Sequence, residues 1–217
     1  MSEQIPRMRE VDSNLISAIN AQRIFEVQAY IDHGADVNAN QCRPMKAAAS
    51  LGNTDIMELL IANGGAINGD QGGPLAVALG RARDKAVLWL LEHGADPAAN
   101  DGQLLVTAAS VGTEAGARAL TYLIEAGAPL ERKGEAALNT ATRCAHFDNA
   151  RVLLAYGVPV TAAAEVLAKH LEYEGWRELF VQAKAREAAR RAADPALAVR
   201  PSTTRLSTAA RHIGAER

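Results

Sequence analysis

A nine-residue phrase is written twice, sixty positions apart. Residues 33–41 read HGADVNANQ and residues 93–101 read HGADPAAND. A reactive motif is normally written once, whereas a phrase that returns on a fixed period marks a structural unit that stacks on copies of itself. Aligning the chain on the glycine of the phrase gives Gly34, Gly64, Gly94, Gly127 and Gly157, at spacings of 30, 30, 33 and 30. Four and three residues before these glycines stand Tyr30/Ile31, Leu60/Ile61, Leu90/Leu91, Leu123/Ile124 and Leu153/Leu154. Seven before them stand Val27, Met57, Val87, Leu120 and Ala150. Apolar positions three and four apart lie on one helix face. The glycine then reads as the left-handed residue that ends the helix, where a Cβ would cost about 1 kcal/mol.

A second helix lies upstream in each repeat. PMKAAASLG (44–52), PLAVALG (74–80) and LLVTAASVG (104–112) place small residues where two helices approach closely, with Pro44 and Pro74 in the first helical turn. Each repeat is therefore helix, turn, helix, glycine and a loop into the next, and such a pair buries its apolar faces only by stacking on its neighbours. Composition agrees: with 48% hydrophobic and only 4% aromatic residues, the interior is built from Ala, Leu, Val and Ile. No apolar run approaches the roughly 20 residues that cross a bilayer. The opening residues MSEQIPRMRE lack the apolar core of a secretory signal. Cys42 and Cys144, without CxxC spacing, read as reduced thiols, and the cytoplasm is the expected compartment.

Residues 34–64, GADVNANQCRPMKAAASLGNTDIMELLIANG, resemble an ankyrin repeat. That family is marked by Gly-Ala-Asp-Val-Asn after its second helix and by Thr-Pro-Leu-His at the start of its first. The second signal is loose here: Arg43-Pro44-Met45-Lys46 and Gly73-Pro74-Leu75-Ala76 replace it, and Leu104 and Ala137 stand in place of the proline further on. The resemblance implies an all-α, ankyrin-type helical repeat solenoid. The usual family period is 33, and Gly34 to Pro44 and Gly64 to Pro74 are each 10 residues, about three short. The missing residues belong to the β-hairpin finger, so truncated hairpin loops with little or no β-ladder are expected. The 33-residue repeat is expected to carry its extra residues near Thr113–Ala117, in a longer loop between its helices.

The expected organisation is a mobile N-terminal segment (1–12), five ankyrin-like repeats (13–160), a degenerate capping helix pair (161–191) and a basic tail or docking arm (192–217). In the cap, Trp176, Leu179, Phe180 and Ala183 share a helix face, and Trp176 and Phe180 are expected to seal the last repeat.

Reactive constellations are not found. His33 and His93 occupy the same place in repeats two apart, which puts them on the order of 20 Å from one another, far beyond a shared metal. A polar residue in the last helical turn explains both. GDQGGP (69–74) and SVGTEAGA (110–117) lack the Gly-Lys-Ser/Thr ending of a phosphate loop. Asp36 and Asp96 recur at matching positions, which suits loop capping better than acid–base work. The expectation is a protein that is not an enzyme and holds no cofactor or metal.

What remains is a surface. The resemblance implies binding of another protein through the first helices and loop tips, as an adaptor or as an inhibitor by occlusion. The tips offer Asn38, Asn40, Gln41, Arg43, Asn68, Asp70, Gln71, Asn100, Asp101 and Gln103; the first helices offer Lys46, Arg81, Arg83 and Arg143. Trp89 and Tyr122, each five before a glycine, serve either packing or binding. The tail supplies Leu206 and Ile213 on one face of a short amphipathic hook, a candidate for self-association or assembly through residues 192–217. The alternative reading is a structural subunit of a larger assembly, such as a phage or secretion-type particle, anchored by that arm. Nucleic acid fits poorly: residues 182–217 hold eight Lys/Arg and three Asp/Glu, but no aromatics interleave them and the rest of the chain is acidic.

Overall fold

The structure, a computed structural model, describes residues 10–171 and 174–193. Among these residues it is all helix, with no strand. The chain divides into two compact units, one ending at Asp96 and the other beginning at Pro97.

The first unit contains three helix pairs: α1 (Glu10–Asn20) with α2 (Ile24–Asp32), α3 (Ala39–Leu51) with α4 (Thr54–Ala62), and α5 (Gly69–Gly80) with α6 (Asp84–Glu92). Within it α1 packs on α3 and α3 on α5, while α2 meets α4 and α4 meets α6. The expected aliphatic positions form its core. Val27, Met57, Val87, Leu60 and Leu90 are each 0% exposed. α1 starts at Glu10, so Asp12 belongs to it, and its carboxylate Oδ1 accepts from the Asp36 amide at 2.8 Å.

The second unit also contains three pairs: α7 (Gln103–Ala109) with α8 (Glu114–Glu125), α9 (Leu130–Arg143) with α10 (Phe147–Ala155), and α11 (Ala162–Ala168) with α12 (Gly175–Ala193). Leu105, Leu120, Leu123, Leu138 and Leu153 are each 0% exposed in its core. Trp176 and Phe180 are buried at its last pair, where Trp176 meets Phe147 edge-on with ring centroids 5.3 Å apart.

The second helices α2, α4, α6, α8 and α10 end where the sequence places the glycine. Gly34, Gly64, Gly94, Gly127 and Gly157 have φ between +82° and +95°. At Gly94 a Cβ would meet nothing within 4 Å, so backbone strain alone resists substitution. Gly94→Val is therefore expected to destabilise by more than about 1 kcal/mol, and Gly94→Asn by less, because Asn tolerates the left-handed region. Urea unfolding midpoints measure both; a neutral valine contradicts the assignment.

The residue before each of the first three glycines closes its helix in a second way. His33 and His93 place Nδ1 at 2.6 and 2.7 Å from the carbonyls of Ala29 and Trp89, and Asn63 Nδ2 donates to the Leu59 carbonyl at 2.8 Å. The Ala29 and Trp89 carbonyls also take the backbone amides of His33 and His93, both at 3.0 Å, so there each imidazole adds a second contact to a carbonyl of the last turn.

One expectation is corrected. The extra residues of the 33-residue repeat lengthen a helix more than a loop. α8 has 12 residues, where α2, α4, α6 and α10 have 9. Glu114, Ala115 and Gly116 form its added first turn. Gly116 fits there because a Cβ would stand 2.2 Å from the Val111 carbonyl oxygen and 3.0 Å from Asn149 Nδ2.

Candidate protein-interaction surface

Where a β-hairpin finger would stand, three loop tips turn left-handed. Asn40, Gln41 and Cys42 have φ of 49°, 57° and 59°. Asp70, Gln71 and Gly72 repeat the conformation, and so do Asn100, Asp101 and Gly102. Each turn closes with a backbone bond four residues long: Cys42 N to Asn38 O, Gly72 N to Asn68 O, and Gly102 N to Ala98 O, at 3.1, 3.2 and 3.0 Å. A left-handed non-glycine residue costs about 1–2 kcal/mol, so three in succession persist only where surrounding bonds fix them. After the turn the chain resumes a right-handed helix, with Pro44 and Pro74 in its opening turn, where no amide hydrogen is needed. The fifth repeat differs: α9 starts at Leu130 and carries no left-handed residue.

The fixing bonds come from two asparagines. Asn38 Oδ1 accepts from the Ala66 amide at 2.8 Å while its Nδ2 donates to the Gly64 carbonyl at 2.9 Å. Asn68 does the same one repeat later, to the Asp96 amide at 2.7 Å and the Gly94 carbonyl at 3.0 Å. Both side chains thus tie one loop to the next. Asp36 Oδ1 accepts from the Asn38 amide at 2.8 Å, an Asx turn that sets the asparagine in place.

Other candidate side chains are also engaged within the fold. Lys46 pairs with Asp70 at 2.8 Å, joining α3 to the tip of α5. Asp101 pairs with Arg132 at 2.8 Å and Lys133 at 3.4 Å. These exposed ion pairs contribute at most about 1 kcal/mol each. Arg83 Nε donates to the Ser50 carbonyl at 2.8 Å, capping the end of α3. Trp89 is half-buried and stacks on His93, ring centroids 3.9 Å apart and nearly parallel. Tyr122 is half-buried in α8. Asn40, Gln41, Arg43, Gln71, Arg81, Asn100, Gln103 and Arg143 are exposed. Leu206 and Ile213 lie outside the described residues, as does the tail beyond residue 193.

Cys42, at the third position of its turn, is buried with its thiol against Gly69, where a Cβ would fall 1.9 Å from Sγ. Burial pushes its pKa up; Lys46 pulls it down, and Asp70 and Asp36 add to the rise. Only the thiolate reacts. At pH 8 an alkylating reagent is expected to label the exposed Cys144 fast and Cys42 at least tenfold more slowly, with the difference abolished in 8 M urea. Mass spectrometry of timed samples checks this; equal labelling rates contradict the packing.

Two features are not evident in a list of polar tips. Asn149, 1% exposed, donates through Nδ2 to the Ala109 and Val111 carbonyls at 3.0 and 2.8 Å, so it closes the end of α7. Phe25 is 90% exposed. Nine residues before the other four glycines stand Asp55, Lys85, Arg118 and Asp148, so comparison of that one position would have singled out the phenylalanine.

Among the described residues no three His, Cys, Asp or Glu side chains group as a metal site requires, and no helix is long and apolar enough to cross a membrane. The arrangement offers hydrogen-bonding and charged side chains on an all-α repeat scaffold. Residues 15–101 match the family model for ankyrin repeats, in 3 copies. Residues 15–101 are therefore ankyrin repeats. No curated protein matches it. Ankyrin repeats are generally protein–protein interaction modules, and the family is typically non-enzymatic.

Proposed function

We propose that the chain is a non-enzymatic adaptor, or an inhibitor by occlusion, that binds a protein partner in the cytoplasm through the tips and first helices of its repeats, and that the repeat pattern runs over residues 13–160. The reading is carried by one observation: the Lys46–Asp70 pair joins neighbouring first-helix surfaces, and Gln41, Arg43, Gln71 and Arg81 stand exposed on the same elements. These side chains project from a backbone fixed by the Asn38 and Asn68 bonds, so little ordering entropy is lost when a partner binds. Arginine is enriched among residues that dominate protein interfaces.

The test is affinity capture from the native source with the full chain and with Arg43→Glu plus Arg81→Glu. Both residues are exposed, so the doubly substituted chain is expected to keep its unfolding midpoint. Its affinity for the captured protein should fall at least tenfold. Capture unchanged by the double substitution contradicts this surface as the binding face.

A further inference from the structure

Among the described residues four large apolar side chains stand exposed: Phe25 at 90%, Val181 at 67%, Val166 at 54% and Ile24 at 36%. Ile24 and Phe25 open α2, Val166 lies in α11 and Val181 in α12. All four belong to the first or the last helix pair and none to a pair between. A stack of repeats ordinarily ends in polar outer faces, which keep it from adding further copies. The first pair lacks one. Eight and four residues before the glycine, α4 and α6 hold Ile56, Leu60, Ala86 and Leu90, all 0% exposed. In α2 the same places hold Glu26 and Tyr30, both half-buried. They border an open groove of about 540 Å³ between α1 and α2, whose apolar lining is Val11, Ala29 and Tyr30.

The last pair carries a matching strip. α12 buries Trp176 and Phe180, and α11 buries Ala164 and Ala168, as the two helices pack on α10 and α9. On the opposite side of α12, Val181, Ala185 and Ala188 follow i, i+4, i+7 and are exposed. On that side of α11, Ala162 and Val166 are exposed as well. Charge separates the two faces. The helices α1 and α2 hold four Asp/Glu and no Lys/Arg, and Arg23 neutralises one of these, Glu26, at 2.8 Å, which leaves a net −3. The helices α11 and α12 hold five Lys/Arg and three Asp/Glu, a net +2. Contact between two first pairs, or between two last pairs, would oppose like charges, whereas a last pair and a first pair attract.

We propose that the chain self-associates head to tail, the last helix pair of one copy packing into the groove on the first pair of another. The contact continues the stacking seen in the first unit, where α1 packs on α3 and α2 on α4. Val166, Val181 and Ala185 cover Val11, Ala29 and Tyr30, with Ile24 and Phe25 at the border. Such a contact is heterologous, so every complex that does not close into a ring keeps one free first pair and one free last pair. It uses neither the loop tips nor Arg43 and Arg81, and it is independent of the proposed partner-binding face.

Sedimentation velocity of the purified full chain tests this, with Ala29→Lys to block the first pair and Val181→Glu to block the last. Both positions are exposed, so each variant should keep its unfolding midpoint. The unsubstituted chain should sediment faster as its concentration rises from about 10 μM to about 1 mM, a range that spans the dissociation constants of weak contacts. Each variant alone should stay monomeric throughout. Their equimolar mixture should associate again, because the intact last pair of the Ala29→Lys chain meets the intact first pair of the Val181→Glu chain. An unsubstituted chain that stays monomeric overturns the proposal, and so does a monomeric mixture. Association by either variant alone shows a contact between like ends and overturns it too.

Discussion

Leu90→Asp should unfold the first unit rather than loosen one helix. Leu90 is 0% exposed in α6, and α6 is held by α5 and α4. Removing the leucine side chain costs about 2–5 kcal/mol, and leaving a buried carboxyl group without a partner adds about 1–3 kcal/mol. A domain of this size has only about 5–15 kcal/mol of stability in total. A helix pair that loses its core face has nothing else to hold it, and the pair beside it loses its cover in turn. Circular dichroism should show loss of helix, and amide spectra should show dispersion lost throughout residues 10–96. A variant with wild-type helix content and a midpoint shifted by less than about 1 kcal/mol contradicts the packing.

Asn68→Ala should be unusually damaging for a residue that sits exposed. Its side chain supplies two bonds, to the Asp96 amide and the Gly94 carbonyl. Each contributes about 0.5–1.5 kcal/mol net, so the loss should be about 1–3 kcal/mol. The left-handed Asp70 and Gln71 that follow gain no strain relief from the change, so the turn should also become mobile. Asn38→Ala should reproduce the effect one repeat earlier, through Ala66 and Gly64. Urea midpoints give the energies, and amide exchange at Asp96 and Ala66 reports the freed donors. An Asn68→Ala chain as stable as wild type would show that the asparagine is merely a surface residue and leave it open to a partner.

That contrast shows where sequence reasoning reached and where it stopped. The helices, their apolar faces and the five closing glycines are written as a period, and periodicity is a one-dimensional signal. The tips are different. A string of Asn, Gln and Asp after GADVN reads as solvated loop, because nothing local distinguishes an amide facing water from one bonded across 28 residues. Left-handed turns announce themselves through glycine at Gly72 and Gly102, but Asn40, Gln41 and Cys42 adopt one without any. Gly116 misled for the opposite reason: glycine is a poor helix former, yet here it opens α8 because no Cβ fits beside the Val111 carbonyl. Asn149 sits eight before Gly157, where α4, α6 and α8 hold Ile56, Ala86 and Ala119, so a polar residue in an apolar slot was the available signal.

Helix pairs persist in this fold because their neighbours do. Native-state hydrogen exchange on Leu90→Ala, a substitution that costs about 2–5 kcal/mol and spares the chain a buried charge, tests that claim most directly. The amides of Met57 and Leu60 in α4 should lose protection together with those of Val87 and Leu90 in α6, and by a similar free energy. If α6 alone loses protection while α4 exchanges as in the wild type, the pairs stand independently and the stacking account fails.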